Sequence, residues 1–365
     1  MSPLSAREGL VSATMALRDL KMNEERLDIS EGEGCMPVRI IQYGVGPIGS
    51  AIVRALLERA GATIIGAIDI AAEKVGRDLG EIVGAPPLGI RVSDRAEEVL
   101  AHKADVVIHS TSSYFEQVFD QLLACVRAGS HVVSTCEELA YPFRKYPELS
   151  RRLDEEARAA GVAVLGTGVN PGFVMDKLVV TLATVCHRPE RVFVRRIVDA
   201  SHRRLPLQKK IGAGMTVEEF HEAVAAGRIR HVGLPESVAL IADGLGIGVE
   251  TISETIEPIL AEEEVKTDYL QVRKGQVAGV RQIARGFMNG QERIRLDLQM
   301  YVGAQNPVDE IRLFGTPEIS LQIPGGTPGD LATAAVVVNA IPLIVQASPG
   351  LRTVMDIPVR FAAAL

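Results

Sequence analysis

In the first half of the chain, apolar residues come in short solid runs separated by amphipathic stretches. Residues 37–43 (PVRIIQY) are an apolar run of strand length. The segment GVGPIGSAIVRALLERAG then places Ile48, Ile52, Ala55 and Leu56 at helical spacing, with Gly61 as a stop. Residues 62–69 (ATIIGAID) predict a second buried strand. SDRAEEVL predicts a short helix and residues 104–111 (ADVVIHST) a third strand. FEQVFDQLLACVRAG predicts a helix ended by Gly129, followed by a fourth strand over 130–136. A charged amphipathic helix over 145–160 and a fifth strand over 161–168 complete the series. Solid apolar strands alternating with helices predict a parallel sheet covered on both faces, a Rossmann domain.

The texture changes after Gly168. NPGFVMDKLVVTLATVC predicts a loop and then a long apolar helix, and residues 190–201 predict a strand. Thr216 and Glu219 form a capping box ahead of the helical stretch TVEEFHEAVAAG, and PESVALIADGLG predicts another helix. From about residue 250, ISETIEPILAEEEV, GQVAGVRQIARGFM, ERIRLDLQMYVG and DEIRLFGTPEISLQI read as strands of a mostly antiparallel sheet with one solvated face. Residues 329–347 predict a well-buried helix, kinked near Pro342, that returns to cover the first domain. The expected organisation is an extension over 1–35, a dinucleotide-binding domain over 36–168, a substrate and oligomerisation domain over 169–328, and a C-terminal helix and tail over 329–365.

A chain of 365 residues is long enough for two cores. Its net charge of -7 argues against nucleic-acid binding, despite a short basic stretch at Arg203, Arg204, Lys209 and Lys210. Cys35, Cys125, Cys136 and Cys186 form no CxxC pair and read as free thiols in a reducing compartment. No run of 18 apolar residues suggests a membrane span. The N-terminus lacks a signal-peptide core, so the expected location is the cytoplasm.

Gly44-Val45-Gly46-Pro47-Ile48-Gly49 fits GxGxxG and lies between a predicted strand and a predicted helix. In that setting the first glycine allows the turn, the second lets backbone approach a pyrophosphate, and the third permits close packing. Asp69, 20 residues after Gly49, ends the next strand, where an acid can hold the adenosine ribose. The expected cofactor is NAD or NADP. Asp69 favours NAD, while Lys74 and Arg77 are near enough to offset its charge. Ser110, Thr111, Ser134 and Thr135 end later strands and are candidate cofactor ligands, or caps of the next element.

Glu137 and Glu138 follow a buried strand directly. One of them could act as a general base in the cleft or hold an ammonium group; equally, the pair could complement a helix start. The seven histidines are scattered and no metal set is visible, so no metal is expected. His202, beside Arg203 and Arg204, could reach the cleft.

GVGPIG, STCEELAYP (134–142), GVNPGF (168–173), VDASHRRLPLQKKIGAGM (198–215) and GGTPGDLATAAVVVNAIP (325–342) together carry a resemblance. Over roughly residues 36–365 the chain resembles the 2,4-diaminopentanoate dehydrogenases and the native amine dehydrogenases related to them. That family is similar in fold to dihydrodipicolinate reductase. The resemblance implies reversible oxidation of an amine to an imine by NAD(P)+, hydrolysed to a ketone and ammonia, or the reverse reductive amination. It places a cleft glutamate on Glu137, with Glu138 in reserve, and the nicotinamide near Thr135. Asn170 and Pro171 would frame the pocket, and Asn339 would help close it. It also suggests a homodimer. Arg203 and Arg204 would suit a substrate carboxylate, as in a 2,4-diamino acid. The run of consecutive histidines and the KxxxSG segment of dihydrodipicolinate reductase are missing. The rival readings are another NAD(P)-dependent imine, aldehyde or semialdehyde reductase of the same architecture, and a nucleotide-sensing protein without turnover.

Overall fold

A computed structural model describes residues 36–365; the extension 1–35, Cys35 included, lies outside the described residues. The chain opens with β1 (Val38–Tyr43), whose Ile40 and Ile41 are fully buried. The glycine turn leads into α1 (Pro47–Leu57), which starts on Pro47, a residue whose missing N–H costs nothing in a first turn. Next come β2 (Ala62–Ile68), α2 (Leu79–Val83), β3 (Val92–Ser93), α3 (Ala96–Leu100) and β4 (Val106–His109). Helix α4 (Phe115–Arg127) buries Phe115, Val118, Phe119, Leu122, Leu123 and Val126, spaced to form one face. Strand β5 (His131–Ser134) follows, then a short 3-10 turn over Glu137–Ala140. Helix α5 (Pro147–Ala160) stops at Gly161, which takes the left-handed conformation (φ 70°) of a helix C-terminus. Strand β6 (Ala163–Gly166) completes the predicted series.

Helix α6 (Lys177–Ala183) is shorter than the sequence suggests. The chain before it is held as a loop by Asp176, whose buried carboxylate accepts from the N–H groups of Gly172 and Lys177 and from the Ser237 hydroxyl. Strand β7 (Arg188–Asp199), α7 (Leu205–Lys210), α8 (Val217–Ala225) and α9 (Leu234–Leu245) follow. The Thr216–Glu219 capping box forms as expected. The remaining strands are β8 (Thr251–Leu260), β9 (Val265–Lys266), β10 (Gln271–Val272), β11 (Val277–Met288), β12 (Gln291–Tyr301), β13 (Val308–Thr316) and β14 (Ile319–Pro324). The run read as one strand over 309–323 is thus a hairpin, turned at Pro317.

Two large sheets result. The first is parallel, in the order β15-β6-β5-β4-β1-β2-β3, the Rossmann arrangement. Its outer strand β15 (Gly350–Arg352) comes from the far C-terminus and was not foreseen, because three residues carry no periodicity. The second sheet runs β14-β13-β7-β12-β11-β8 and is antiparallel except where β7 pairs with β12. Helix α10 (Gly329–Ile344) runs through Pro342 and returns to the first unit: Val337, Val338 and Ile341 share a buried cluster with Ile52 and Leu56 of α1. Each such fully buried side chain contributes roughly 1.5–3 kcal/mol. The Leu365 N–H then closes the chain on the Ala60 carbonyl at 3.0 Å.

Candidate active site

The turn between β1 and α1 shows how three glycines do three jobs. Gly44 sits at φ 92°, and a Cβ there would lie 2.4 Å from the Ser110 carbonyl oxygen. A Cβ on Gly49 would lie 2.0 Å from the Gly44 oxygen. A Cβ on Gly46 would meet nothing within 4 Å: it would project into open space. That space, at the start of α1, is where a pyrophosphate would need bare backbone, so the turn fits a dinucleotide. Pro47 and Ile48 form the first turn of the helix behind it.

The side chains around this turn hold it in shape. Asp69 Oδ2 accepts from Val45 N–H at 2.7 Å and from Lys74 Nζ at 3.0 Å, and its Oδ1 accepts from Ala71 N–H at 2.9 Å. These donors outweigh partial burial and hold the Asp69 carboxyl below its usual range. The Ser110 hydroxyl donates to the Gly44 oxygen at 2.9 Å and accepts from Gln42 Nε2 at 2.9 Å. Thr111 donates to Gln121, and Ser134 bonds buried His109 at 2.9 Å. So Ser110, Thr111 and Ser134, expected to bond the cofactor, have their hydroxyls engaged within the scaffold. Burial pushes His109 down to about 4, so it works here as a neutral hydrogen-bonding wedge. Thr135 is half-buried at the mouth beyond β5, its N–H donating to the His109 carbonyl.

The two adjacent glutamates separate cleanly. Glu138 turns inward: it is 2% exposed, accepts from Phe115 N–H at 2.8 Å and from the Tyr146 hydroxyl at 2.9 Å, and pairs with Lys145. Phe115 begins α4, so Glu138 satisfies an orphan donor and complements the helix dipole. This is the structural alternative, realised by the second acid alone. Glu137 points elsewhere. Burial raises its pKa, only partly offset by Ser113 and by the charge of Lys210 on α7. Pro171 and Glu137 both crowd Gly233, whose Cβ would lie 2.4 Å from Pro171 Cδ and 3.1 Å from Glu137 Cβ. Here the carboxyl end of β5, the loop at Asn170–Pro171 and the start of α9 meet.

Among the described residues, several buried polar groups at this junction find no hydrogen-bond partner. They are both amide atoms of Asn170, which is 8% exposed, Nδ1 of His231, and Oε2 of Glu236. Glu236, in the first turn of α9, faces Glu138, Lys145 and Arg230, and burial pushes it up to about 7. Sequence reasoning missed it; it lies in an amphipathic helix, and only its place three residues after Gly233, which Pro171 contacts, ties it to the junction. Buried orphans are costly in a folded protein and call for a partner from outside the chain, an ordered water or a bound molecule.

Other expected residues lie elsewhere. Arg203 donates to Asp330 at the start of α10 at 2.6 Å, and Arg204 lies 3.9 Å from the same carboxylate. A substrate carboxylate would find Arg203 engaged, while Arg204 is exposed and only loosely paired. His202 is exposed. Asn339 accepts from Ala362 N–H at 3.1 Å, tying the C-terminal tail to α10, and faces a mostly apolar cavity of about 340 Å³ with Phe173 and Lys177. Its amide oxygen is thus taken up by the tail while its side chain lines that cavity.

Residues 173–364 match the family described as the 2,4-diaminopentanoate dehydrogenase C-terminal domain, and residues 38–136 match the dihydrodipicolinate reductase N-terminus. The chain is 34% identical over 333 residues to a 2,4-diaminopentanoate dehydrogenase of Acetoanaerobium sticklandii, covering 88% of this chain and 94% of that protein. It is 24% identical to an amine dehydrogenase of Streptomyces virginiae, covering 88% and 97% of the two chains. The solved structure of an amine dehydrogenase from Mycobacterium smegmatis superposes with a TM-score of 0.79 at 28% identity, over 90% of this chain and 98% of that one.

Proposed function

From the premise that the chain belongs to the 2,4-diaminopentanoate dehydrogenase family, we propose that Glu137 is the acid–base residue of a reversible amine dehydrogenase. The protein is an NAD(P)-dependent oxidoreductase acting on amines. The observation that carries the finer reading is the division of labour between the two acids. Glu138 is tied into the scaffold, whereas Glu137 has a raised pKa at the junction of cleft, loop and helix.

A nicotinamide coenzyme bound at the glycine turn would supply the hydride acceptor for the amine-bearing carbon. Glu137 accepts the proton that the nitrogen sheds as C=N forms, then serves the addition of water and the loss of ammonia. In the reverse direction it protonates the departing hydroxyl as water leaves. An ionised Glu137 also stabilises the iminium charge. The bare backbone at Gly46 and Thr135 at the mouth would hold the coenzyme, and Asn170 would orient the substrate's polar group with its two unpartnered amide atoms. The engagement of Arg203 by Asp330 favours an amine without a carboxylate at that position over a 2,4-diamino acid.

No described helix is long and apolar enough to cross a membrane. We infer a cytoplasmic protein, supported by the free, buried thiols of Cys125, Cys136 and Cys186. We also infer a homodimer, supported by the half-exposed outer strands β8 and β14 of the second sheet and checked by light scattering. The test of function is oxidation of NADH and NADPH over a panel of ketones with and without concentrated ammonia. Ammonia-dependent turnover is expected. Turnover without ammonia would instead support a carbonyl or preformed-imine reductase.

A further inference from the structure

This inference rests on the dehydrogenase reading and concerns the choice between the two coenzymes. An acid at the end of the second Rossmann strand normally faces the ribose hydroxyls and repels a 2′-phosphate. Asp69 occupies that place with most of its acceptor capacity already used. Its two oxygens take three donors from its own surroundings: the Val45 and Ala71 N–H groups and the Lys74 ammonium. Its side chain is 10% exposed. The acid therefore braces the glycine turn, and its charge is already met.

Lys74 stands on the outer side of that pair, in the turn after β2, with its side chain 22% exposed. An ammonium has three donors, and one points to Asp69, which leaves two for an incoming acceptor. Arg77 lies three residues on and is exposed, with one guanidinium N–H donating to the Glu73 carbonyl at 3.3 Å. The opposing charges nearby, Glu73 and Asp94, are exposed and screened by water. We propose that Lys74 is the residue that sets coenzyme specificity: it neutralises Asp69 and meets the 2′-phosphate, so this chain takes NADPH as well as NADH.

The test needs no substrate. NADH and NADPH are titrated separately into the full-length protein and their fluorescence is followed, for wild type and for Lys74→Met, Lys74→Gln and Lys74→Arg. Wild type should bind the two coenzymes with dissociation constants within about tenfold of each other. Lys74→Met should weaken NADPH about tenfold or more while NADH moves less than about twofold. Lys74→Gln keeps a hydrogen bond to Asp69 without the charge, and should show the same selective loss if Lys74→Met loosens the turn. Lys74→Arg should retain NADPH. A coenzyme ratio unchanged in both neutral variants would overturn the proposal, as would a wild type that binds NADH alone. A wild type that binds neither coenzyme would sink the dehydrogenase reading itself, and this inference with it.

Discussion

The glycine turn and the junction around Asn170 treat polar groups in opposite ways. At the turn, Ser110, Thr111, Ser134 and Asp69 are bonded internally, and the open feature is bare backbone at Gly46. At the junction, Asn170, His231 and Glu236 are buried with polar atoms left over. The turn leaves one buried side-chain atom unpartnered among the described residues, Gln42 Oε1, where the junction leaves four. A molecule whose shape never varies, such as a dinucleotide, can be gripped by backbone on a rigid frame. A reacting amine needs side chains with unused bonding capacity and a carboxyl of raised pKa.

The sharpest way to break this comparison is at Glu137. Glu137→Gln should lower kcat for ammonia-dependent turnover by about 10²–10⁴-fold while coenzyme affinity stays within about threefold. Glu138→Gln should instead lower thermal stability, because a buried carboxylate loses its ion pair with half-exposed Lys145 and its helix-start bond weakens with it. Equal kinetic damage without lost stability in both variants would remove the division of labour.

The glycines give the next largest contrast. Gly49→Ala forces a Cβ to 2.0 Å from a backbone oxygen and should cost about 2–4 kcal/mol in urea unfolding. Gly46→Ala adds its methyl to open space, so stability should change by less than about 0.5 kcal/mol. Its damage should fall on NAD(P)H binding, by about tenfold or more, since the methyl takes the room of a phosphate. Matching stability losses in both variants would mean that Gly46 is a folding glycine.

The fold was legible because five solid apolar runs alternating with helices allow little but a parallel sheet. Strand β15 was not, since three residues carry no pattern, and neither was the parallel pairing of β7 with β12, which depends on the whole second sheet. In the site, the glycines, Asp69 and Glu137 could be read from spacing and motif. What spacing cannot show is which way a side chain turns. Ser110 and Ser134 point back into the scaffold, Arg203 reaches Asp330 across 127 residues of chain, and Glu236 enters the junction from a helix whose pattern looks ordinary.

Asn170 tests whether the junction is built at a cost. Asn170→Leu keeps the shape and removes two buried unpartnered atoms, so the variant without ligand should gain about 1 kcal/mol in chemical unfolding. The KM for the amine should rise about tenfold with kcat changed less. A variant that is both less stable and unchanged in KM would make Asn170 a structural residue.

Glu236 gives the effect most easily isolated, because it is read as a change of stability with pH. Its folded pKa of about 7 lies above its ordinary value of 4.5. Below 4.5 the carboxyl is protonated in both states and contributes no pH dependence. As pH rises from 4.5 towards 7, the unfolded chain releases the proton first, so stability falls, and the loss is complete above 7. His109 and His231, both pushed down to about 4, have the opposite sign: they remove stability as pH falls from 6.5 towards 4. The histidines are common to wild type and Glu236→Gln, so their effect cancels in the difference. Glu236→Gln should therefore match wild type near the acid end and exceed it by about 1–3 kcal/mol at pH 8. A difference that does not change with pH would show that the Glu236 carboxyl titrates in the folded protein as it does in the unfolded chain.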